Sequence, residues 1–333
     1  MRRRRPAPLP QRHGLDPVRL RTPDSGPWAT LREHLVERLP RVPPERVAEM
    51  LAEGRIVDEN GPLTVDSPFL PASFVWFHRD LPQEVPVPFD IGIVYRDADI
   101  VVADKPHFLA TIPRGRHVLE TALVRLRRDL ALPLLAPAHR LDRVTAGVVL
   151  FVARPELRGR YQTLFRDRRV RKTYEAVAGY RPDLELPRVV RSRIVKERGV
   201  IRAYEEPGEP NAETHVELVA QAGGRGYYRL RPHTGRTHQL RLHLAGLGIP
   251  IVGDDFYPDL HETPLDDFRT PLQLLARTLE FTDPLTGEPR RFDSALRLAA
   301  WPGPDDRAEA DGDRADALSD EPNGGVSASP PRF

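Results

Sequence analysis

The stretch "HRLDRVTAGVVLF", residues 139–151, sets one acid, Asp142, between Arg140 and Arg143 at the start of an apolar run that reads as buried strand. The two guanidinium groups would keep that carboxylate ionised, and a charged carboxylate beside apolar sheet suits attack on an electrophilic carbon or stabilisation of a cation. A buried Asp–Arg pair, or an Asp capping a turn, would look the same in sequence. A second stretch, "HTGRTHQLRLHLAGLGIPIVGDDFYP" (residues 233–258), turns at Gly235 and then alternates polar with apolar residues, which fits a strand. His238 and His243 lie five apart, so on a strand they face opposite ways, and no glutamate stands between them as in the helical zinc motif. Hydrogen-bonded structural histidines are therefore expected in place of a metal site. Arg236, beside the turn, has the reach to meet phosphate or the Asp142 carboxylate. In the third stretch, "RKTYEAVAGY" (residues 171–180), a strand sends Tyr174, Ala176 and Ala178 to one face. The small neighbours leave room for a flat ring against Tyr174, whose phenol can stack on a base or handle a proton; core packing is the simpler reading of that strand alone.

These residues need elements to hold them. "DIGIVYRDADIVVADKP" reads as two apolar strands around a polar turn, and "LETALVRLRRDLAL" as a helix with Leu119, Leu123 and Leu126 facing inward. Strand "GVVLFVA", a helix around "PELRGRYQTLFRD" and strand "KTYEAVAGY" follow; "THVELVAQA", "GYYRLRP" and "THQLRLHLA" are read as later strands. Strands outnumber helices and many look antiparallel, so the expected class is α+β. Upstream, "WATLREHLVERL" and "VPPERVAEMLAEGRI" read as two short helices, the second opened by proline and closed by Gly54, and "RIVDENGPLTVDSP" as a hairpin turning at Asn60-Gly61. The resulting division is a disordered basic segment over 1–27, a small unit over 28–82, a main domain over 83–300 and a disordered acidic tail over 301–333.

The chain has 333 residues and a formal net charge of +2, but residues 1–27 carry +5 and residues 301–333 carry −5. All but three of the 50 basic residues are arginine, which suits RNA because a guanidinium binds phosphate bidentately and stacks on bases. Zero cysteines exclude disulfides, thiolate metal sites and a cysteine nucleophile. No apolar run is long enough to span a membrane, and "MRRRR" is followed by no apolar signal core, so a cytoplasmic location is expected.

In order along the chain, "DADIVVADKPHFLATIP", "HRLDRVTAG", "KTYEAVAG" and "GRTHQLRLHLAGLGIPIVGD" together resemble the RluA-type pseudouridine synthases, from about Pro86 to Phe292. "LLARTLEFTDPLTGEP" resembles that family's closing strand and turn. The resemblance implies a mixed, largely antiparallel sheet with flanking helices, and an RNA uridine isomerase working without metal or cofactor. By the same resemblance Asp142 is the essential aspartate, Tyr174 the active-site tyrosine and Arg236 the basic partner of the aspartate. Arg140 takes the gap left by the flipped uridine, and Arg143, Lys105, Lys172 and His238 are the other expected RNA contacts. Ala146 and Ala276 stand where the family often has Ser and His, departures that bear on substrate detail. Residues 28–82 resemble the small αL RNA-binding motif of a ribosomal protein, with Arg38, Arg41, Arg46 and Arg55 available to phosphate. The expected partner is ribosomal or transfer RNA, bound by a monomer. A non-catalytic RNA-binding or assembly factor is the alternative; it predicts loss of Asp142, Tyr174 or Arg236, and none is lost. A hydrolytic nucleosidase, the third possibility, typically needs a second carboxylate across the bond, and only Asp142 sits in a recognisable motif.

Overall fold

The computed structural model describes residues 7–81 and 83–301. The expected acidic tail, Trp301 apart, lies outside the described residues, as do the first six residues of the expected basic segment.

In the N-terminal unit, α1 (Leu31–Arg38) starts at Thr30, whose hydroxyl accepts from the Glu33 amide at 3.3 Å while the Glu33 carboxylate accepts from the Thr30 amide. Helix α2 (Pro44–Ala52) opens on proline and ends before Gly54, at φ +66°. Both pack on a three-stranded antiparallel sheet of β1 (Val18–Arg21), β3 (Phe74–Phe77) and β2 (Ile56–Val57), in that spatial order, around Leu35, Leu51 and Ile56. Two expectations change here. Residues 18–21 are an ordered strand, because Leu20 joins this core. The hairpin at Asn60-Gly61 keeps its turn, tied by Asp58, but the return arm is a single bridge at Pro62, which has no N–H to continue a ladder; β2 pairs with β3 instead.

The main sheet has eleven strands. From one edge these are β10 (Tyr204–Glu206), β9 (Arg188–Val195), β11 (Ala212–Ala222), β12 (Arg225–Pro232), β8 (Val170–Gly179), β13 (Leu274–Thr282), β7 (Ala146–Val152), β5 (Ile100–Lys105) and β4 (Gly92–Arg96). Strand β14 (Pro289–Asp293) pairs with β13, and β6 (Ala136–Pro137) with β7. Every pairing is antiparallel except β7 with β13, the α+β arrangement expected. At that junction Gly147 has φ +114°, and a Cβ there would lie 2.2 Å from the Ala276 carbonyl oxygen, so only glycine permits the two strands to meet. Strands β5 and β7 are buried along their whole length and share one core with Leu123 and Leu126 of α3 (Ala122–Asp129) and Tyr161 and Leu164 of α4 (Arg158–Arg166). Leu119 falls before α3, which starts after its cap, Thr121. Arg127 of α3 is 9% exposed and donates to the Gly14 carbonyl and Asp16, so part of the segment expected to be disordered is docked on this helix.

The largest correction is "THQLRLHLA". It is not a strand but a helix, α5 (Gln239–Gly246), entered through His238 at φ +57°. Residues Gln239 to Leu244 are all buried, so the polar–apolar alternation does not mark one wet face. Each buried polar side chain has found a partner: Gln239 donates to the Glu213 carbonyl, Arg241 to Asp254, and His243 bonds Ser192 and Thr214.

Candidate active site

Beside the central strands lies a cleft of about 770 Å³ lined, among the described residues, by seven arginines, one lysine and a single carboxylate, Asp142. The loop carrying Asp142 runs into the first residues of β7 and is pinned on both sides by a single segment, residues 105–111. Thr111 Oγ1 accepts from the Leu141 amide at 3.1 Å and donates to the Leu141 carbonyl at 2.8 Å. Lys105 Nζ donates to the Arg143 carbonyl at 3.3 Å, and His107 Nδ1 donates to the Val144 carbonyl at 2.8 Å. The residues around Asp142 are thus fixed through their backbones. Its own carboxylate makes no hydrogen bond or ion pair among the described residues. The acid is positioned and left available.

The cations whose charge interacts with it, Lys105 and Arg241, are not the ones adjacent in sequence. Arg140 is exposed on the cleft wall, and the Arg143 guanidinium sits 6.0 Å from the centre of the Phe108 ring, because successive residues of the turn point apart. Arg236 is also exposed, with Nε donating to the Asn211 carbonyl at 3.2 Å, and does not pair with Asp142. Arg241 makes no pair with Asp142 either, but lines the same cleft. It is 2% exposed, donates through Nε to Asp254 at 2.8 Å and through Nη2 to Asp255 at 2.8 Å, and its charge interacts with Asp142. Reading α5 as a strand hid it. Lys105 is corrected too: it is fully buried, with Nζ also on the carbonyls of Pro106 and Leu109 at 2.9 and 2.8 Å, and cannot reach RNA. Burial pushes its ammonium down to about 7, against the opposing pull of Asp142.

Tyr174 lies in the middle of β8, across from Ala276 and Leu230, half-buried on the cleft wall. Burial, and then the charge of Asp142, raise its phenol well above the ordinary value, so the hydroxyl is protonated at neutral pH. His238 reaches the same cleft from the start of α5. Its Nδ1 bonds Tyr257 Oη at 2.9 Å, and that hydroxyl donates to the Ala203 carbonyl at 2.6 Å, so Nδ1 carries the proton and Nε2 is an acceptor. Lys172, two residues before Tyr174 on β8, also lines the cleft, with Nζ on the Thr234 carbonyl at 3.1 Å, and burial lowers it to about 8.

Three histidines around this framework are held neutral by burial: His107 at about 4, His139 at about 3 and His243 at about 4. Below the ordinary imidazole value the unfolded chain takes up these protons and the folded one does not, so stability rises with pH across that interval. Melting temperature is therefore expected to fall on going from pH 7 to pH 5, starting near 6.5, with each histidine adding at most about 1.4 kcal/mol per pH unit. A melting temperature that stays level over this range would show these rings charged in the fold.

The sequence profile of the family described as RNA pseudouridylate synthase matches residues 99–246, which contain Asp142, Tyr174 and Arg241. The dual-specificity RNA pseudouridine synthase RluA of Haemophilus influenzae is 30% identical over 220 residues, covering 61% of this chain and 92% of that protein. Mouse pseudouridylate synthase RPUSD2 is 34% identical over 187 residues, 54% of this chain but 32% of its own length, so the chain spans about a third of that relative. Among solved structures, human RNA pseudouridylate synthase domain containing 1 matches 64% of this chain and 86% of its own with a TM-score of 0.51 at 24% identity, a likeness of fold. With the pinned aspartate and its tyrosine inside the matched segment, and nearly the whole of a bacterial relative covered, the chain belongs to the RluA-type family of RNA pseudouridine synthases.

Proposed function

We propose that this protein converts uridine to pseudouridine within ribosomal or transfer RNA, with Asp142 as the catalytic residue. One observation carries this reading above the others: among the described residues, a single carboxylate without hydrogen bond or ion pair stands in a cleft walled by eight cationic side chains. Such a wall attracts a polyanion and holds its phosphates without reading sequence, while the lone acid marks where chemistry is done. C1′ and C5 of a stacked uridine are out of reach, so the nucleotide is flipped into the cleft at a cost of about a few kcal/mol. Arg140, exposed on the wall, fills the gap that the nucleotide leaves. The C1′–N1 bond then breaks with Asp142 either attacking C1′ or removing a sugar proton, uracil turns, and a C1′–C5 bond forms. The C5 proton leaves and N1 regains one, so mass is unchanged and no oxidant or cofactor enters the balance. Tyr174 rests as a neutral phenol, so it assists the last step as a relay, accepting the C5 proton as its own hydroxyl proton passes on to N1 or to solvent. Tyr174→Phe is accordingly expected to slow product formation by roughly 10²- to 10³-fold while RNA affinity changes less than threefold. Single-turnover assays with RNA labelled with tritium at uridine C5 check this, and an unchanged rate would remove the tyrosine from the mechanism. A yeast relative named as a mitochondrial tRNA pseudouridine(32) synthase, 30% identical over 184 residues, supports keeping transfer RNA among the candidates. The N-terminal unit is assigned a second RNA contact, through Arg38 and Arg41 on its exposed face.

The test is pseudouridine mapping of total RNA from a strain lacking the gene, with and without the wild-type copy restored. Loss of one or a few sites, regained on complementation, names the substrate. No change at any site would favour an RNA-binding factor, and free uracil released by purified protein would favour a hydrolase.

A further inference from the structure

We propose that Glu84, in the segment joining the two units, is a positioning residue for RNA binding that holds the root of one cleft wall. The inference rests on the cleft being the RNA site. Glu84 Oε2 accepts from the amides of Val118 and Glu120 at 2.9 and 3.0 Å, and Oε1 from the amide of Leu119 at 2.7 Å. Three successive N–H groups thus converge on one carboxylate, the geometry of a backbone anion nest. Immediately before them, residues 114–117 form a tight turn closed by two backbone hydrogen bonds between Arg114 and His117, with Gly115 at φ +59°. Arg114 and His117 line the cleft, and the turn has open space beyond Gly115. Immediately after them, the amides of Ala122 and Leu123 bond the carbonyls of Ala110 and Thr111, the residue that also fixes Leu141 beside Asp142. Glu84 therefore holds the C-terminal root of the turn, the N-terminal root being the chain that runs from Thr111 through Pro113.

The joining segment does not need Glu84 in order to dock. Its next residues are clamped separately: the Val87 amide donates to Glu120 at 2.8 Å, and Arg125 donates to the carbonyls of Val87 and Phe89 at 2.6 and 2.8 Å. What the three Glu84 bonds add is rigidity at residues 118–120, and through them a fixed direction for Arg114 and His117. Charge alone would act the other way. A carboxylate close enough to be felt by His117 repels phosphate, so if Glu84 were only a surface charge its removal would strengthen RNA binding. A positioning role gives the opposite sign.

The experiment compares wild-type, Glu84→Ala and Glu84→Gln full-length proteins for affinity to a fluorescently labelled hairpin RNA, for KM and kcat on ribosomal RNA, and for amide exchange over residues 114–120. Glu84→Ala is expected to weaken RNA binding and raise KM by about tenfold, with kcat within about twofold, as preorganisation of the wall is lost. Exchange at residues 118–120 should accelerate, and Glu84→Gln, which keeps an acceptor without the charge, should fall between the two and serve if the alanine variant folds poorly. Unchanged or tighter RNA binding by Glu84→Ala, with exchange accelerated, would overturn the proposal, as would a loss confined to kcat. Wild-type protein that binds the hairpin yet modifies no uridine in any RNA would overturn the proposed activity and leave this inference standing.

Discussion

Asp142→Asn is expected to reduce pseudouridine formation by roughly 10³-fold or more, because it removes, from a step with no substitute group, the one carboxylate lining the cleft among the described residues. RNA affinity should stay within about threefold of wild type, since phosphate contacts come from the walls and not from the acid. Stability should change little. The asparagine is isosteric, and the side chain it replaces makes no hydrogen bond or ion pair among the described residues. The loop that presents it is held through Leu141, Arg143 and Val144, which the substitution leaves untouched. Product mapping with purified protein, alongside binding and thermal melts, separates the three quantities. Retention of more than about a tenth of the wild-type rate would show that glycosidic cleavage proceeds without Asp142. Replacement by glutamate is a useful companion: it keeps the charge and shifts the carboxylate along by one methylene, and a misplacement of about 1 Å is enough to cost on the order of 10²-fold.

Much of the fold was legible because its central strands carry their own signal. The runs at residues 100–105 and 146–152 are apolar on both faces, the mark of sheet covered on both sides, and the structure buries every residue of each. Asp142 and Tyr174 did not stand out by themselves, since a buried ion pair or turn cap and core packing fit each stretch alone; the order of four motifs made them the expected site residues, and the structure lines one cleft with both. Pairing between distant residues was not legible. The arginine whose charge acts on Asp142 depends on the conformation of residues 238–246, where two readings fit one pattern. Alternation of Gln239, Arg241 and His243 with leucines suits a strand with one wet face equally well as a helix whose polar groups are all satisfied inside the protein. The partners that decide the matter, Ser192, Glu213, Thr214 and Asp254, lie on β9, β11 and a later loop. The acidic pair at 254–255 was visible in the same quoted stretch and was the available hint, since two adjacent carboxylates entering a core require a buried cation. Lys105 misled in the same way. A lysine next to a proline at a strand end reads as surface, and only the three carbonyls converging on its ammonium reveal it as an internal clamp.

The pairing of Arg241 with Asp254 allows structure and chemistry to be separated. Both side chains are almost fully enclosed, at 2% and 1% exposure, and Asp254 also accepts from the amides of Phe256 and Tyr257. Removing Arg241 strands the buried Asp254 charge, and removing Asp254 leaves Arg241 with Asp255 alone, so Arg241→Met is expected to cost about 3–5 kcal/mol of stability and lower the melting temperature by roughly 10 °C, and Asp254→Leu somewhat less. Removing both replaces the ion pair by apolar groups, and the double variant should recover part of that loss, the amides of Phe256 and Tyr257 and the Asp255 carboxylate having lost these partners; the difference from additivity measures the coupling. Activity should not recover with it. Asp254→Leu keeps the guanidinium whose charge reaches Asp142 and should lose about tenfold or less, whereas Arg241→Met, alone or in the double variant, should lose on the order of 10²-fold as the carboxylate loses that cation. A double variant as active as wild type would mean that Arg241 serves the reaction only by holding α5 in place. Retained stability with lost activity would mean that this guanidinium, and not the exposed Arg236, sets the electrostatics in which Asp142 works.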